Sequence, residues 1–292
     1  MHVREGSMEN TIQSMRSKVD MALWSLLGLG FILCYFPTFQ WLNYKYSTSE
    51  SYYSHGYLIP FVVLYLLYDK RSELKEIQLS STVFGFFIIM FALIIHILGV
   101  LSDVSFISGF SMIFYLAGCS LYLLGTTFTK HILFPLVYLV FMMPVPDEYL
   151  SVIALPSKSA ATWFALKIMD LMNIPYIREG FSIILAHATY IVGTPCNGLR
   201  SLISFLALGF LFIYFLRLSF WKSILLLAII PLMAVVLNGV RIVILVLISI
   251  YYGQEAASHE SYLHDASGLV VFVIGIIIMI ITVKVMYGKK SA

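Results

Sequence analysis

The chain has 292 residues, 60% of them hydrophobic and 11% charged, with a formal net charge of +3. A soluble domain carries about 25% charged residues to keep its surface hydrated, so most of this surface must face lipid. The small net charge gives no reason to expect a nucleic acid as partner.

Residues 1–20 are polar and are expected to form a cytoplasmic tail. The apolar run after them has no small-residue cleavage site, so it should remain as a transmembrane anchor. At about 20 apolar residues per crossing, spans are expected near 21–39, 54–68, 82–102, 104–125, 131–146, 196–216, 221–251 and 267–287. That describes an all-α polytopic membrane protein of about eight transmembrane helices, with 21–288 as one domain and no internal repeat. The 54–68 and 131–146 runs are short for a crossing. The 221–251 run is long, and Pro231 and Asn238-Gly239 offer places for a kink.

Cytoplasmic loops are enriched in Lys and Arg. With the N-terminus inside, Arg4, Arg16, Lys18, Lys70, Arg71, Lys75, Lys130, Arg217, Lys222, Lys284, Lys289 and Lys290 fall on the cytoplasmic side. Only Lys45, Lys158, Lys167 and Arg178 fall outside. The segment 147–195 is then the largest external piece. Its first half, LPSKSAATWFALKIMDLM, has apolar positions three and four apart and reads as a helix in the interface or packed on the bundle. Its second half, YIREGFSIILAHATYIVGTPC, is rich in β-branched and aromatic residues and reads as two short strands, a hairpin broken at Gly180.

Three cysteines cannot make a disulfide framework, and no CxxC pair suggests a metal; no cofactor is expected. Cys34 and Cys119 sit inside apolar runs and read as small hydrophobes. Cys196 differs, because GTPCNGLR (193–200) opens a span. The free amides and dipole of a helix start favour a thiolate, and Arg200, one turn later, adds a cation on the same face. An interfacial cysteine with a snorkelling arginine fits the same segment.

Arg241, in NGVR (238–241), stands in a long apolar run, where an arginine costs at least about 2.5–3.5 kcal/mol at the bilayer centre. Twenty residues of helix from Trp221 rise about 30 Å and lift it to the external boundary, the depth of Cys196. A structural pairing, with Asp103 for example, is the other reading. His264, in YLHDASG (262–268), opens the last span at that level; histidine is the usual partner of a nucleophilic cysteine. His259, His55 and His187 are also external, and Asp265 is a candidate to orient His264. Ser267-Gly268 beside a histidine raises a serine-protease reading, but no nucleophile elbow surrounds it. A transporter or channel with Arg200, Arg241 and His264 lining an ion path is the rival from another class; it gives Cys196 no task.

Taken in order, PCNGLR (195–200), NGVR (238–241) and His264 resemble the exosortase/archaeosortase family of membrane cysteine transpeptidases. SHGYLIP (54–60) and the FPL…MPVP segment (134–146) agree, so the resemblance runs from about residue 50 to 287. It implies Cys196 as nucleophile, Arg241 as stabiliser of the oxyanion and His264 as acid and base, with Arg200 and Asn238 in support. It also implies a substrate: an exported protein ending in a PEP-CTERM-like signal, namely a short Pro-containing motif, a transmembrane helix and a basic tail. The tail would be cleaved and the remainder passed to a cell-surface acceptor, at the external face of the inner (plasma) membrane. Asn197, where many members carry Ser or Ala, departs from the pattern.

Overall fold

The structure, a computed structural model, describes residues 21–22, 25–48, 52–186, 189–192, 198–258 and 260–287. They separate into two compact units, one drawn from residues 1–45 and 58–143 and the other from 46–57 and 144–292.

The first unit begins with α1 (Ser25–Cys34) and α2 (Phe36–Ser47), bent by 55° at Tyr35. Pro37, which lacks an amide donor, sits in the first turn of α2. A break inside an apolar run frees backbone groups that lipid cannot satisfy. Side chains meet that demand: the His96 ring bonds the Cys34 carbonyl. Its Nδ1 lies 2.9 Å from Ser108 Oγ, and Ser108 Oγ lies 2.6 Å from Thr38 Oγ1. Alongside, the Tyr35 hydroxyl is 2.9 Å from Ser111 Oγ.

α3 (Ile59–Asp69) and the charged α4 (Arg71–Glu76) lead into α5 (Val83–Leu101) and α6 (Ser105–Leu123). Those two pack backbone to backbone through glycine, as helices in lipid do when small residues line their interface. A Cβ at Gly118 would stand 2.9 Å from the Ile89 nitrogen, and one at Gly99 2.7 Å from the Ser108 nitrogen. The unit closes with α7 (Gly125–His131) and α8 (Leu133–Tyr138), which runs on as a 3-10 turn to Met142; the pair is bent by 60°. Here too a side chain caps the break, Lys70 Nζ donating to the His131 carbonyl at 2.8 Å.

Among the described residues, five helices are long and apolar enough to cross a membrane, or up to seven if each bent pair is one span. The sequence reading gave about eight. The difference lies at 54–68, which folds as a 3-10 turn (Ser54–Tyr57) followed by the 11-residue α3, only about 16 Å of helix.

The second unit is built around α11 (Phe220–Tyr252), one 33-residue helix with Pro231 inside it and roughly 50 Å long. Its first half packs against α10 (Leu199–Leu216) and α12 (Tyr262–Tyr287), where Phe205, Leu226, Ile230, Met233, Leu237 and Met279 form one core. Its second half enters another core, in which Ile242, Val243, Leu245 and Val246 meet Ala161, Ala165 and Met169 of α9 (Asp147–Leu171), Ile183 and Tyr190 of a small sheet, and Val192 just beyond it. The expected helix in this segment is longer at its start than the sequence suggested: Pro146 caps it and Asp147 and Glu148 fill its first turn, where acids favour a helix dipole.

The sheet has three antiparallel strands rather than two: β1 (Ile177–Glu179), β2 (Ser182–Ile184) and β3 (Thr189–Ile191). Glu179 pairs with Ser182, leaving Gly180-Phe181 as a two-residue turn in which Gly180 takes φ +60°, a conformation glycine adopts without strain. β3 pairs with β2 through Tyr190 opposite Ile183, both buried. The sequence before β3, LAHA at 185–188, has no Gly, Pro, Asn or Asp to signal a second turn.

Candidate functional site

Asn238, Gly239 and Arg241 stand where α11 passes from one core to the other. Successive residues of a helix point about 100° apart, so three near neighbours can face three partners. Asn238, buried, faces the start of α10: a Cβ at Gly198 would lie 3.2 Å from its Cβ and 3.3 Å from its Cγ. Gly239 faces α9, where a Cβ would meet the Phe164 ring at 2.8 Å and the Ala161 carbonyl at 3.0 Å. Arg241 faces α12. Its Nη2 donates to the His264 carbonyl and its Nε to Ser267 Oγ, both at 3.5 Å.

Each partner is positioned by its own backbone. Gly198 caps α10 with φ +78°, a left-handed conformation that costs a residue with a side chain about 1–2 kcal/mol. On α12, His264 is buried in the first turns. Its Nδ1 lies 3.2 Å from the carbonyl of Ala257, in the 3-10 turn Gln254–Ala257. A carbonyl only accepts, so this contact assigns the ring proton to Nδ1 and the basic lone pair to Nε2. Ser267 Oγ donates to the His264 carbonyl at 2.6 Å.

The structure therefore brings Arg241 and His264 together and sets Asn238 at the entrance of α10. Arg200, half-buried, follows that entrance in the first turn of α10. One turn further on the same face, Ser204 Oγ lies 3.4 Å from Nδ1 of His55. That histidine sits in the turn Ser54–Tyr57 beside Tyr53, ring centroids 5.8 Å apart. Burial raises the pKa of the Tyr53 phenol, against a hydrogen bond with the Val145 backbone that lowers it. Cys196, His187 and His259 lie outside the described residues. Asp103 belongs to the first unit, and the Arg241 contacts described above are with α12. Asp265 opens α12 beside His264. Among the described residues no three His, Cys, Asp or Glu converge as metal ligands.

A carbonyl-anchored imidazole, a guanidinium reaching the carbonyl of the same residue from the neighbouring helix and a helix start alongside make a set suited to moving a proton beside a stabilised anion. A family model described as transmembrane exosortase (Exosortase_EpsH) matches residues 41–281.

The chain belongs to the transmembrane exosortase family. Comparison with curated proteins finds no match, and neither does comparison with solved structures. The matched exosortase region takes in the start of α10, Asn238 to Arg241 and His264, and it agrees with a multi-pass membrane protein. Sequence reasoning missed the Ala257 carbonyl behind His264 and the Ser204 contact of His55, because neither leaves a pattern along the chain. It noticed Ser267-Gly268, but as a candidate nucleophile rather than as neighbours of Arg241.

Proposed function

We propose that the chain is a membrane-embedded cysteine protease and transpeptidase that removes the C-terminal sorting signal of exported proteins. Residues 21–288 form the catalytic domain, residues 1–20 the cytoplasmic tail, and the site opens at the external face of the inner membrane. The substrate carries a Pro-containing motif, a transmembrane helix and a basic tail, and its remainder passes to an acceptor at the cell surface. Family membership supports the reaction class. The observation that carries the residue assignment is the Arg241–His264 contact across α11 and α12, beside a helix start that abuts Asn238. Cys196 is two peptide units before Gly198, which holds the two Cα atoms within about 7.6 Å.

In this reading the Cys196 thiolate attacks the scissile carbonyl and Arg241 holds the oxyanion that develops. His264 Nε2, which took the Cys196 thiol proton when the thiolate formed, gives it to the leaving amine as the peptide C–N bond breaks, and a thioester remains on Cys196. His264 then takes a proton from the incoming nucleophile, which displaces the thiolate. Arg200 and Asn238 support the start of α10.

The test is co-expression with a tripartite substrate, comparing wild type with Cys196→Ala, Arg241→Ala and His264→Ala by gel. Tail loss in wild type and its absence in all three variants, each present in the membrane at normal level, is the expected result. Tail loss in Cys196→Ala would overturn the proposal.

A further inference from the structure

We infer that Ser267 and Gly268 form a seat that holds the Arg241 guanidinium in register with His264, making both positioning residues for the reaction proposed above, on which this inference rests. His264, Ser267 and Gly268 are spaced i, i+3, i+4 and so share one face of α12. That face meets Arg241. A Cβ at Gly268 would stand 3.1 Å from Nη2, 3.2 Å from Cζ and 3.5 Å from Nε. The flat ion therefore lies against bare backbone, and an added Cβ would make it give by a few tenths of an ångström.

Ser267 supplies the second constraint. Its hydroxyl donates to the His264 carbonyl at 2.6 Å and accepts from Arg241 Nε at 3.5 Å, while Nη2 reaches that same carbonyl at 3.5 Å. Buried at 5% exposure, this hydroxyl has little water to compete for either bond. The guanidinium is thus tied to the peptide of the very residue whose ring moves the proton. Anion stabiliser and proton carrier ride on one helical turn, and their separation is fixed by α12 rather than by two independent side chains. A merely structural arginine would need carbonyls for its protons, but no glycine beneath its face.

The experiment uses the full-length purified protein and a tripartite substrate, with Ser267→Ala, Ser267→Thr, Gly268→Ala, Arg241→Ala, Gly268→Ala/Arg241→Ala and Cys196→Ala. Losing one donor to an oxyanion costs about 10²–10³ in kcat. Displacing that donor should lower kcat at least about tenfold in Ser267→Ala and Gly268→Ala, with KM held within about twofold. Ser267→Thr, which keeps the hydroxyl, should recover kcat to within about twofold of wild type. Thermal unfolding in detergent gives a readout independent of turnover: Gly268→Ala should lower Tm when Arg241 is present and add nothing in the Arg241→Ala background. Unchanged kcat in Gly268→Ala overturns the inference. So does a Tm loss that persists without Arg241, or a threonine variant as slow as alanine. Cleavage that survives Cys196→Ala would instead sink the cysteine reading, while the unfolding cycle still reports on the seat, so the two failures are told apart.

Discussion

Gly198 lies against Asn238: a side chain at Gly198 would begin 3.2 Å from the Asn238 Cβ. The chain thus enters α10 by passing a position without a side chain over a buried amide on α11. Glycine is required there twice, for that contact and for φ +78°. Gly198→Ala should therefore misalign the residues just before α10 and lower the rate of tail removal by about tenfold or more, at about 1–2 kcal/mol of strain. Asn238→Leu, which crowds the same contact from the other side, should match it, and Asn238→Ala should be milder. Initial rates with a tripartite substrate, at equal membrane levels, check the order.

Gly239 makes the corresponding contact with α9, where Phe164 and the Ala161 carbonyl leave no room for a side chain. Gly239→Val should force α9 off α11 and cost about 1–3 kcal/mol, the usual penalty of overpacking. Unlike Gly198→Ala, it acts on the core before the site, so it should lower Tm in detergent as well as activity. A wild-type Tm in Gly239→Val would show that α9 yields freely.

His55 bridges the turn Ser54–Tyr57 to Ser204 on α10. Removing the ring in His55→Ala should loosen the face of α10 that carries Arg200 and reduce turnover several-fold, whereas His55→Gln, which can still meet Ser204, should retain more. Equal activity in the two variants would assign the effect to loss of ring volume.

In the first unit, His96 answers the bend at Tyr35 by bonding the Cys34 carbonyl and Ser108 Oγ. His96→Leu leaves both without that partner, at about 1–3 kcal/mol for a buried polar group. The expected outcome is a lower Tm with kcat per folded molecule unchanged, measured on protein that survives mild heating.

The membrane class was legible in the sequence because charge is scarce everywhere; Arg241 stood out as a candidate because an arginine inside an apolar run is costly, and His264 because the expected topology put it at the same level. The number of spans was not: 54–68 folds as a 3-10 turn and the short α3, and 21–39 and 131–146 break at Tyr35 and Ile132, where caps come from His96 and Lys70, both distant in sequence. The third strand escaped because the sequence between Ile184 and Thr189, LAHA, carries no Gly, Pro, Asn or Asp to mark a turn. The seat beneath Arg241 escaped for a different reason: a glycine matters there for the guanidinium that lies on it, and chain order holds no record of that contact.

The central claim is that a thioester forms on Cys196, and hydroxylamine reads it directly. Added to membranes during processing of a tripartite substrate, hydroxylamine nitrogen attacks the thioester carbonyl, forming a C–N bond and releasing the thiolate. Mass spectrometry should find a C-terminal hydroxamate at the cleavage point with wild type and neither cleavage nor hydroxamate with Cys196→Ala. A substrate cut equally in both, ending in a free carboxylate, would contradict the account.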